Sequence, residues 1–517
     1  MTEQPWHSAR LIPTSGINGA EEQERRATSA LLAVMSAVKE YGRVLTHRYG
    51  APAGYLETYI EVPFMLGEKR VYPDGLIRVS RGSKTWTALV EVKTGNNALV
   101  GEQLENYLDV AREQGFDALI TISNEIPAIA GTHPTKVDKR KLKRVALHHL
   151  SWTHVLSEAV LQKEVRGVAD PDQAWILGEL IRYLEHPRSG ALEFEDMGEA
   201  WVATREAVAA GTLRASDRGV AEVAARFDAL LAFTSLRLGR RLGTEVTPIL
   251  SRKEIAEPGT RGAALVASLV SHGQMSGAIR IPDTIGPLVI TADLRAGRLT
   301  CHADIDAPRE GRPTTRVNWL VRQLKEAPDS VRVEAFVAHG RGSSAAALLR
   351  DVRTNPALLV TEPTKELRSF RVATVLPLGT KRGRGRGAFI DSLLDAVDRF
   401  YEDVVQNLRA WTATPPKLRA DGDRVLADEQ EVATPLVSTA LSSQDGVAEE
   451  GESESSVPPD AHGTDDQPSD EHRGGGAIVI RTTGELEPKN QTHPWDLVPD
   501  GAHSDGFQKA DGEASTG

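Results

Sequence analysis

The chain has 517 residues, 40% of them hydrophobic and 26% charged, with a formal net charge of −11. Its single cysteine, Cys301, excludes an internal disulfide and a cysteine-ligated metal cluster. No run of about 18 apolar residues occurs, so no membrane-spanning helix is expected, and a start without a basic segment leading into an apolar one points to the cytoplasm rather than to secretion. The charge is unevenly spread. Residues 420–517 hold 22 acidic against 5 basic residues, which leaves the rest of the chain mildly basic. A basic body with an acidic tail is compatible with a polyanionic substrate.

Residues 1–20, with Pro13, Gly16 and Gly19, read as a flexible lead-in. Residues 21–48 follow as a helix, with Thr28, Leu31, Leu32, Met35 and Val38 on one face. Glu21 and Glu24 share the side of Leu31 and Met35, because steps of three, four and seven return to one face. Residues 58–64 form a first strand, whose Pro63 suits an edge or a strand end. Residues 71–79, containing Asp74, are extended, and 81–84 make a polar, glycine-containing turn into a strand over 86–93. On that strand Ala88, Val90 and Val92 point one way and Leu89, Glu91 and Lys93 the other. The hairpin brings Asp74 across from Glu91.

Two carboxylates held together repel unless a cation lies between them. Oxygen ligands of this kind suit Mg²⁺ or Mn²⁺. Such a metal would lower the pKa of a bound water and polarise a scissile phosphate, with Lys93 orienting the water or offsetting developing charge. A helix over 99–114 carries Leu104, Leu108 and Ala111 as an apolar stripe. It sets Gln103 and Tyr107 four residues apart on one face. A buried strand over 116–122 completes the order αβββαβ.

These residues resemble the PD-(D/E)xK, or restriction-endonuclease-like, nuclease superfamily. The matching elements are Pro73-Asp74, Glu91-x-Lys93 and Gln103-xxx-Tyr107, the last being similar to the RecB-like branch. The resemblance covers residues 20–160. It implies an α/β nuclease core with Asp74 and Glu91 as Mg²⁺ ligands and the Val92 carbonyl as a third donor. It also implies Lys93 as the catalytic lysine, and Gln103 and Tyr107 as active-site or phosphate-contacting residues. Members often add a glutamate from the first helix to the metal site, which makes Glu24 the candidate here, with Glu21 second.

Further along, Lys136, Lys139, Arg140, Lys141, Lys143 and Arg144 form a basic cluster able to grip a phosphate backbone. The strand after it contains His148-His149, which point to opposite faces and make a poor ligand pair for one ion. Residues 151–242 read as almost wholly helical, over 153–165, 173–184, 195–209 and 218–238, with Trp175, Trp201 and Phe227 as core residues. Residues 245–410 read as a second α/β region. Its expected strands are 278–282, 288–292, 299–304 and 331–338, and its expected helices 319–326, 343–351 and 388–408. The run Lys381-Arg382-Gly383-Arg384-Gly385-Arg386-Gly387 lacks the ending of a nucleotide P-loop but offers four cations to a nucleic-acid backbone. Arg309, Arg312 and Arg316 make a weaker basic spot. Beyond about Pro415 the composition is that of a disordered acidic tail, with a β-prone island at 477–481 and a docking-like peptide at 492–498.

The expected domains are thus a lead-in (1–20), a nuclease-like domain (21–165), a helical region (166–242), a second α/β domain (243–412) and the tail (413–517). The expected function is Mg²⁺-dependent phosphodiester hydrolysis, DNA being the first substrate to test, in repair or in defence against foreign DNA. Two alternatives stand beside it. One is a non-cleaving nucleic-acid-binding module on the same fold. The other is a scaffold that recruits a protein partner through the second domain and the acidic tail.

Overall fold

A computed structural model describes residues 7–8, 20–127, 131–340, 342–361 and 364–413. The chain divides into two units at Leu418 and Arg419, and all that follows concerns the first. The expected acidic tail with its two short motifs, and most of the lead-in, lie outside the described residues. His7–Ser8 (β1) is an exception in the lead-in, and it pairs as an edge strand.

The expected helix over 21–48 is two helices, α1 (Ala20–Ala37) and α2 (Lys39–His47). Val38 interrupts them with extended backbone, φ −102° and ψ 92°. The break bends the chain so that both helices bury apolar faces in one core. Gly42 makes the bend possible, because a Cβ there would lie 2.2 Å from the Met35 carbonyl oxygen.

After α2 come β2 (Tyr55–Ile60), a separate small hairpin of β3 (Phe64–Leu66) and β4 (Lys69–Val71), then β5 (Gly75–Arg81) and β6 (Lys84–Val92). Helix α3 (Gly101–Gln114), β7 (Ala118–Ser123) and β8 (Ala146–Ser151) follow. The first sheet runs β1-β2-β5-β6-β7-β8. Its β2, β5 and β6 are antiparallel neighbours, whereas β6, β7 and β8 run parallel. The β5–β6 turn needs only Gly82 and Ser83, with Gly82 at φ +60°, a conformation that costs glycine little.

Alternation along β6 separates two cores. Ala88, Val90 and Val92 join α1, α2 and two later helices on one face. Leu89 joins Leu104, Tyr107, Leu108 and Ala111 of α3 on the other. The sheet is therefore covered on both sides, as its nearly continuous apolar strands require.

The next segment folds as α4 (Trp152–Leu161), α5 (Pro171–Glu185), α6 (Trp201–Ala210) and α7 (Val220–Leu242). Ser151 caps α4 by accepting from the His154 N–H, and Asp170 caps α5 just ahead of Pro171. These helices divide between cores: α5 packs Leu177, Leu180 and Leu184 against the first sheet, and α6 and α7 bury Trp201 and Phe227 against the second. Trp175 corrects an expectation, being 61% exposed rather than in the core. Residues 195–200, expected to be helical, lie outside any helix.

The second sheet is antiparallel throughout. Its elements are β9 (Thr247–Pro248), α8 (Arg252–Ala256), α9 (Pro258–His272), β10 (Gln274–Arg280), β11 (Leu288–Asp293), β12 (Arg298–Asp306), α10 (Pro313–Gln323), β13 (Arg332–Val337), β14 (Ala345–Leu348), α11 (Leu349–Thr354), β15 (Leu367–Pro377) and α12 (Phe389–Asp403). The strand order is β14-β13-β15-β12-β11-β10-β9. The molecule is thus mixed α/β, and no helix among the described residues is long and apolar enough to cross a membrane.

Two expectations fail here for physical reasons. The alanine-rich stretch 343–351 is not one helix, because Ala345 to Leu348 complete the open edge of β13 and tertiary pairing overrides local propensity. The helix expected at 319–326 starts earlier, at Pro313, where proline suits the first helical position.

Substituting Gly42→Ala should lower unfolding stability by about 2 kcal/mol, the cost of forcing a methyl group into a close-packed site. Chemical denaturation read by circular dichroism measures it. An unchanged midpoint would show that the α1–α2 bend does not depend on this close approach.

Candidate active site

The site forms where β6 ends. Pairing of Gly75 with Val90 puts Asp74 beside the end of β6, and the Val92 N–H donates to Asp74 Oδ2 at 2.7 Å. Glu91 lies on β6 with a side chain only 1% exposed. Lys93 follows directly, its backbone N–H donating to the Ile122 carbonyl at the end of β7. Helix α1 runs over this edge and supplies Glu24.

Lys93 Nζ is the hub. It donates to Glu24 Oε1 at 3.0 Å and to the Val92 carbonyl at 3.1 Å, and it lies 2.6 Å from Glu91 Oε1. Glu91 Oε1 is thus held by the ammonium, while Glu91 Oε2 has no hydrogen-bond partner among the described residues. Two carboxyls, those of Glu91 and Glu24, therefore pair with one ammonium, and the Asp74 charge acts on it from close by.

The electrostatics follow from that imbalance. Burial raises the Asp74 carboxyl above its usual range, against the opposing pull of the Lys93 charge. Burial raises Glu91 further, and the Asp74 charge adds to the rise. Burial works against the Lys93 charge, but the charges of Glu91 and Asp74 outweigh it and hold the ammonium above its ordinary range.

Tyr107 and Gln103 stand on α3 on the Leu89 side of the sheet. Gln103 Nε2 donates to the Tyr107 hydroxyl at 3.2 Å, and that hydroxyl donates to the Tyr72 carbonyl at 3.0 Å. Burial, then the nearby Glu91 charge, pushes the Tyr107 phenol up to about 12. Tyr107 thus fastens α3 to the backbone two residues before Asp74.

Six residues singled out in the sequence converge here: Glu24, Asp74, Glu91, Lys93 and, at the margin, Tyr107 with its partner Gln103. Glu21 does not converge and is exposed on α1. The basic candidates are more divided. Arg140 pairs with Asp138, and Lys141 pairs with Asp109 at 2.5 Å. Arg382 pairs with Asp196, and Arg384 with Glu193 and Asp391. Lys139, Lys143, Lys381 and Arg386 are exposed and form no salt bridge among the described residues. Arg316, read as part of a basic spot, is instead buried and donates to the Gly311, Leu367 and Arg309 carbonyls and to Glu366.

Sequence reading missed the supports. The Trp152 indole N–H donates to the Lys93 carbonyl at 2.9 Å. Asn124 ties together Gly95, Gly190 and Leu192 beside the site. Gln23 Nε2 donates to the Arg188 carbonyl at 2.7 Å. These contacts join residues far apart in the chain, so no local pattern announces them.

The oxygens of Asp74, Glu91 and the Val92 carbonyl form a hard donor set that fits Mg²⁺ or Mn²⁺, with water completing the coordination. The buried Glu91 Oε2, without a hydrogen-bond partner among the described residues, is the feature that favours such a cation. Among the described residues, no group of three or more His, Cys, Asp or Glu side chains is arranged to hold a metal ion. No protein-family model, no curated protein and no solved structure matches the chain.

A pH dependence follows from the two raised carboxyls. The unfolded chain ionises them first, from about pH 4 upward. The folded state holds their protons longer, so it loses stability as pH rises from there through the folded pKa values. In EDTA the thermal midpoint should therefore decline over that window more steeply in the wild type than in Glu91→Gln. Divalent metal should raise the wild-type midpoint, and more so at high pH, where fewer protons must leave. Scanning fluorimetry across pH tests both, and a Glu91→Gln profile parallel to the wild type would contradict the assignment.

Proposed function

We propose that the protein is a divalent-metal-dependent phosphodiesterase that hydrolyses nucleic acid, with DNA as its substrate, on a PD-(D/E)xK nuclease-like core. The observation that carries this reading is the pairing of Glu24 and Glu91 with one ammonium at the end of β6, beside the carboxyl of Asp74 and with Glu91 almost wholly buried. The element order supports it. A helix, three antiparallel strands β2, β5 and β6, a second helix and the parallel strand β7 follow the αβββαβ pattern that the motif residues imply.

Asp74, Glu91 and the Val92 carbonyl would hold Mg²⁺ or Mn²⁺. When bound, the ion supplies Lewis acidity and a lowered pKa for a coordinated water. Lys93 places a fixed positive charge beside that position, where negative charge develops on the phosphate during attack. Glu24 holds the ammonium from the α1 side, so that Lys93 need not rely on Glu91 alone. Tyr107 and Gln103 fix the distance between α3 and the Asp74 turn, and so the width of the site on that side. Lys139, Lys143, Lys381 and Arg386 remain as cations for a phosphate backbone.

A second reading has its own support. Lys93 already contacts Glu24 and Glu91, and an ammonium held in this way can bind a nucleic-acid phosphate without cutting it.

Cleavage of linear and circular DNA, double and single stranded, with Mg²⁺, Mn²⁺ or EDTA separates the two. Metal-dependent cutting is expected, with Lys93→Ala and Asp74→Ala each slowing it by about 100-fold or more while the circular dichroism spectrum is retained. Cutting that persists in either variant overturns the assignment of the site. Binding without cutting in the wild type would establish the second reading.

A further inference from the structure

The hairpin of β3 and β4 stands apart from both large sheets, and its second strand leads into the candidate site through Tyr72, Pro73 and Asp74. Its inner face is anchored. Phe64 and Val71 pair across the hairpin and are buried with Val62 in the core shared with α3. The Phe64 ring meets Phe116 edge-on, at 5.8 Å between centroids and 79° between planes.

Alternation turns the neighbours of these residues outward. Met65 is 53% exposed and Tyr72 52%. Arg70, cross-strand from Met65, is exposed as well. The Arg70 guanidinium carbon lies 5.9 Å from the centre of the Tyr72 ring, within cation–π reach. A thioether, a guanidinium and a phenol thus share the outer surface of the hairpin.

The Tyr72 backbone is fixed although its side chain is open. Pro73 restricts the residue before it to extended backbone, and the Tyr72 carbonyl accepts from the Tyr107 hydroxyl at 3.0 Å. Asp74 is two residues on, so the two Cα atoms lie within about 7 Å. The charge on the hairpin favours an anion. Lys69 and Arg70 are exposed and form no salt bridge among the described residues, against one exposed carboxylate, Glu68 at the turn. Glu61, ahead of the hairpin, is paired with Arg25.

An open ring beside a cation suits a nucleic-acid strand whose bases are unpaired. Every base has a face that can stack on an aromatic side chain, and a duplex hides those faces between its base pairs. We propose that the β3–β4 hairpin is a nucleotide-stacking finger for single-stranded DNA, with an unpaired base on the Tyr72 ring and the adjoining phosphate on Arg70. The proposal names the substrate of the site at the end of β6, and so rests on reading that site as one for nucleic acid.

Fluorescence anisotropy of the full chain with a labelled single-stranded oligothymidylate, and with a duplex of the same length, tests it in EDTA. The single strand should bind more tightly. Tyr72→Ala should weaken single-strand binding about tenfold and leave duplex binding unchanged, while Tyr72→Phe, which keeps the ring, binds as the wild type does. Arg70→Ala should flatten the dependence of log K on log salt by about 0.7, the equivalent of one phosphate contact on a single strand. With Mg²⁺, Tyr72→Ala should raise KM for single-stranded DNA and leave kcat near wild type, because the ring holds substrate and transition state alike. Wild-type affinity in Tyr72→Ala, in a chain that cuts DNA, overturns the finger and leaves the nuclease reading standing. Weakening that Tyr72→Phe shares overturns it too. Binding without cutting, weakened in Tyr72→Ala alone, supports the finger on a non-cleaving module. A wild-type chain that neither binds nor cuts DNA overturns both readings and leaves the exposed face to a protein partner.

Discussion

The Lys93 ammonium is the interaction on which the rest of the β6 end depends. Glu91 is nearly inaccessible and its Oε2 has no hydrogen-bond partner among the described residues, a costly arrangement for a protein interior. Such a group survives only where nearby cations or a ligand compensate it. Lys93 compensates it in part, Glu24 steadies Lys93 from outside, and the Val92 N–H steadies Asp74. What remains is an excess of negative charge at one point. That excess makes the end of β6 a candidate for chemistry rather than for stability alone, because buried groups with displaced pKa values tend to cluster where function is performed.

The fold places each participant by a separate constraint. A two-residue turn locks the β5–β6 register, which aligns Asp74 with Glu91. The period of two along β6 then turns Leu89 and Glu91 toward the face opposite Ala88, Val90 and Val92. Parallel pairing with β7 closes the far side through the Lys93 N–H. The bend at Val38 lets α1 lie over the sheet while α2 turns into the same core. Trp152 ties the Lys93 carbonyl to the first residue of α4.

Local pattern made a good part of this legible, and the limits were physical. Alternation over 86–93 and the spacing of Gln103 and Tyr107 were readable because each lies within one element. The alternation of helices and strands over residues 20–123 was readable in outline, although the expected helix over 21–48 divides at Val38 and the expected strand over 58–64 divides between β2 and β3. Trp175 was misread because an aromatic residue at helical spacing says nothing about which face meets the core. Arg382 and Arg384 looked free because their partners Asp196 and Glu193 lie nearly 200 positions earlier. Arg316 likewise looked like surface charge, although it satisfies three backbone carbonyls and Glu366. Strand β14 was lost because its alanines favour a helix until the edge of β13 competes for them. For the arginines the missing information was a partner distant in the chain.

The hairpin of β5 and β6 has a bearing on how the molecule assembles. Asp74, Glu91 and Lys93 fall within about twenty consecutive residues, so a short loop brings them together at small entropic cost. Glu24 is remote and can join only when α1 docks. Contacts close in sequence form readily, while distant ones wait for the chain to be gathered. The hairpin therefore gathers its two carboxyls and their lysine through contacts close in sequence, while the hold of Glu24 on that lysine depends on the docking of α1.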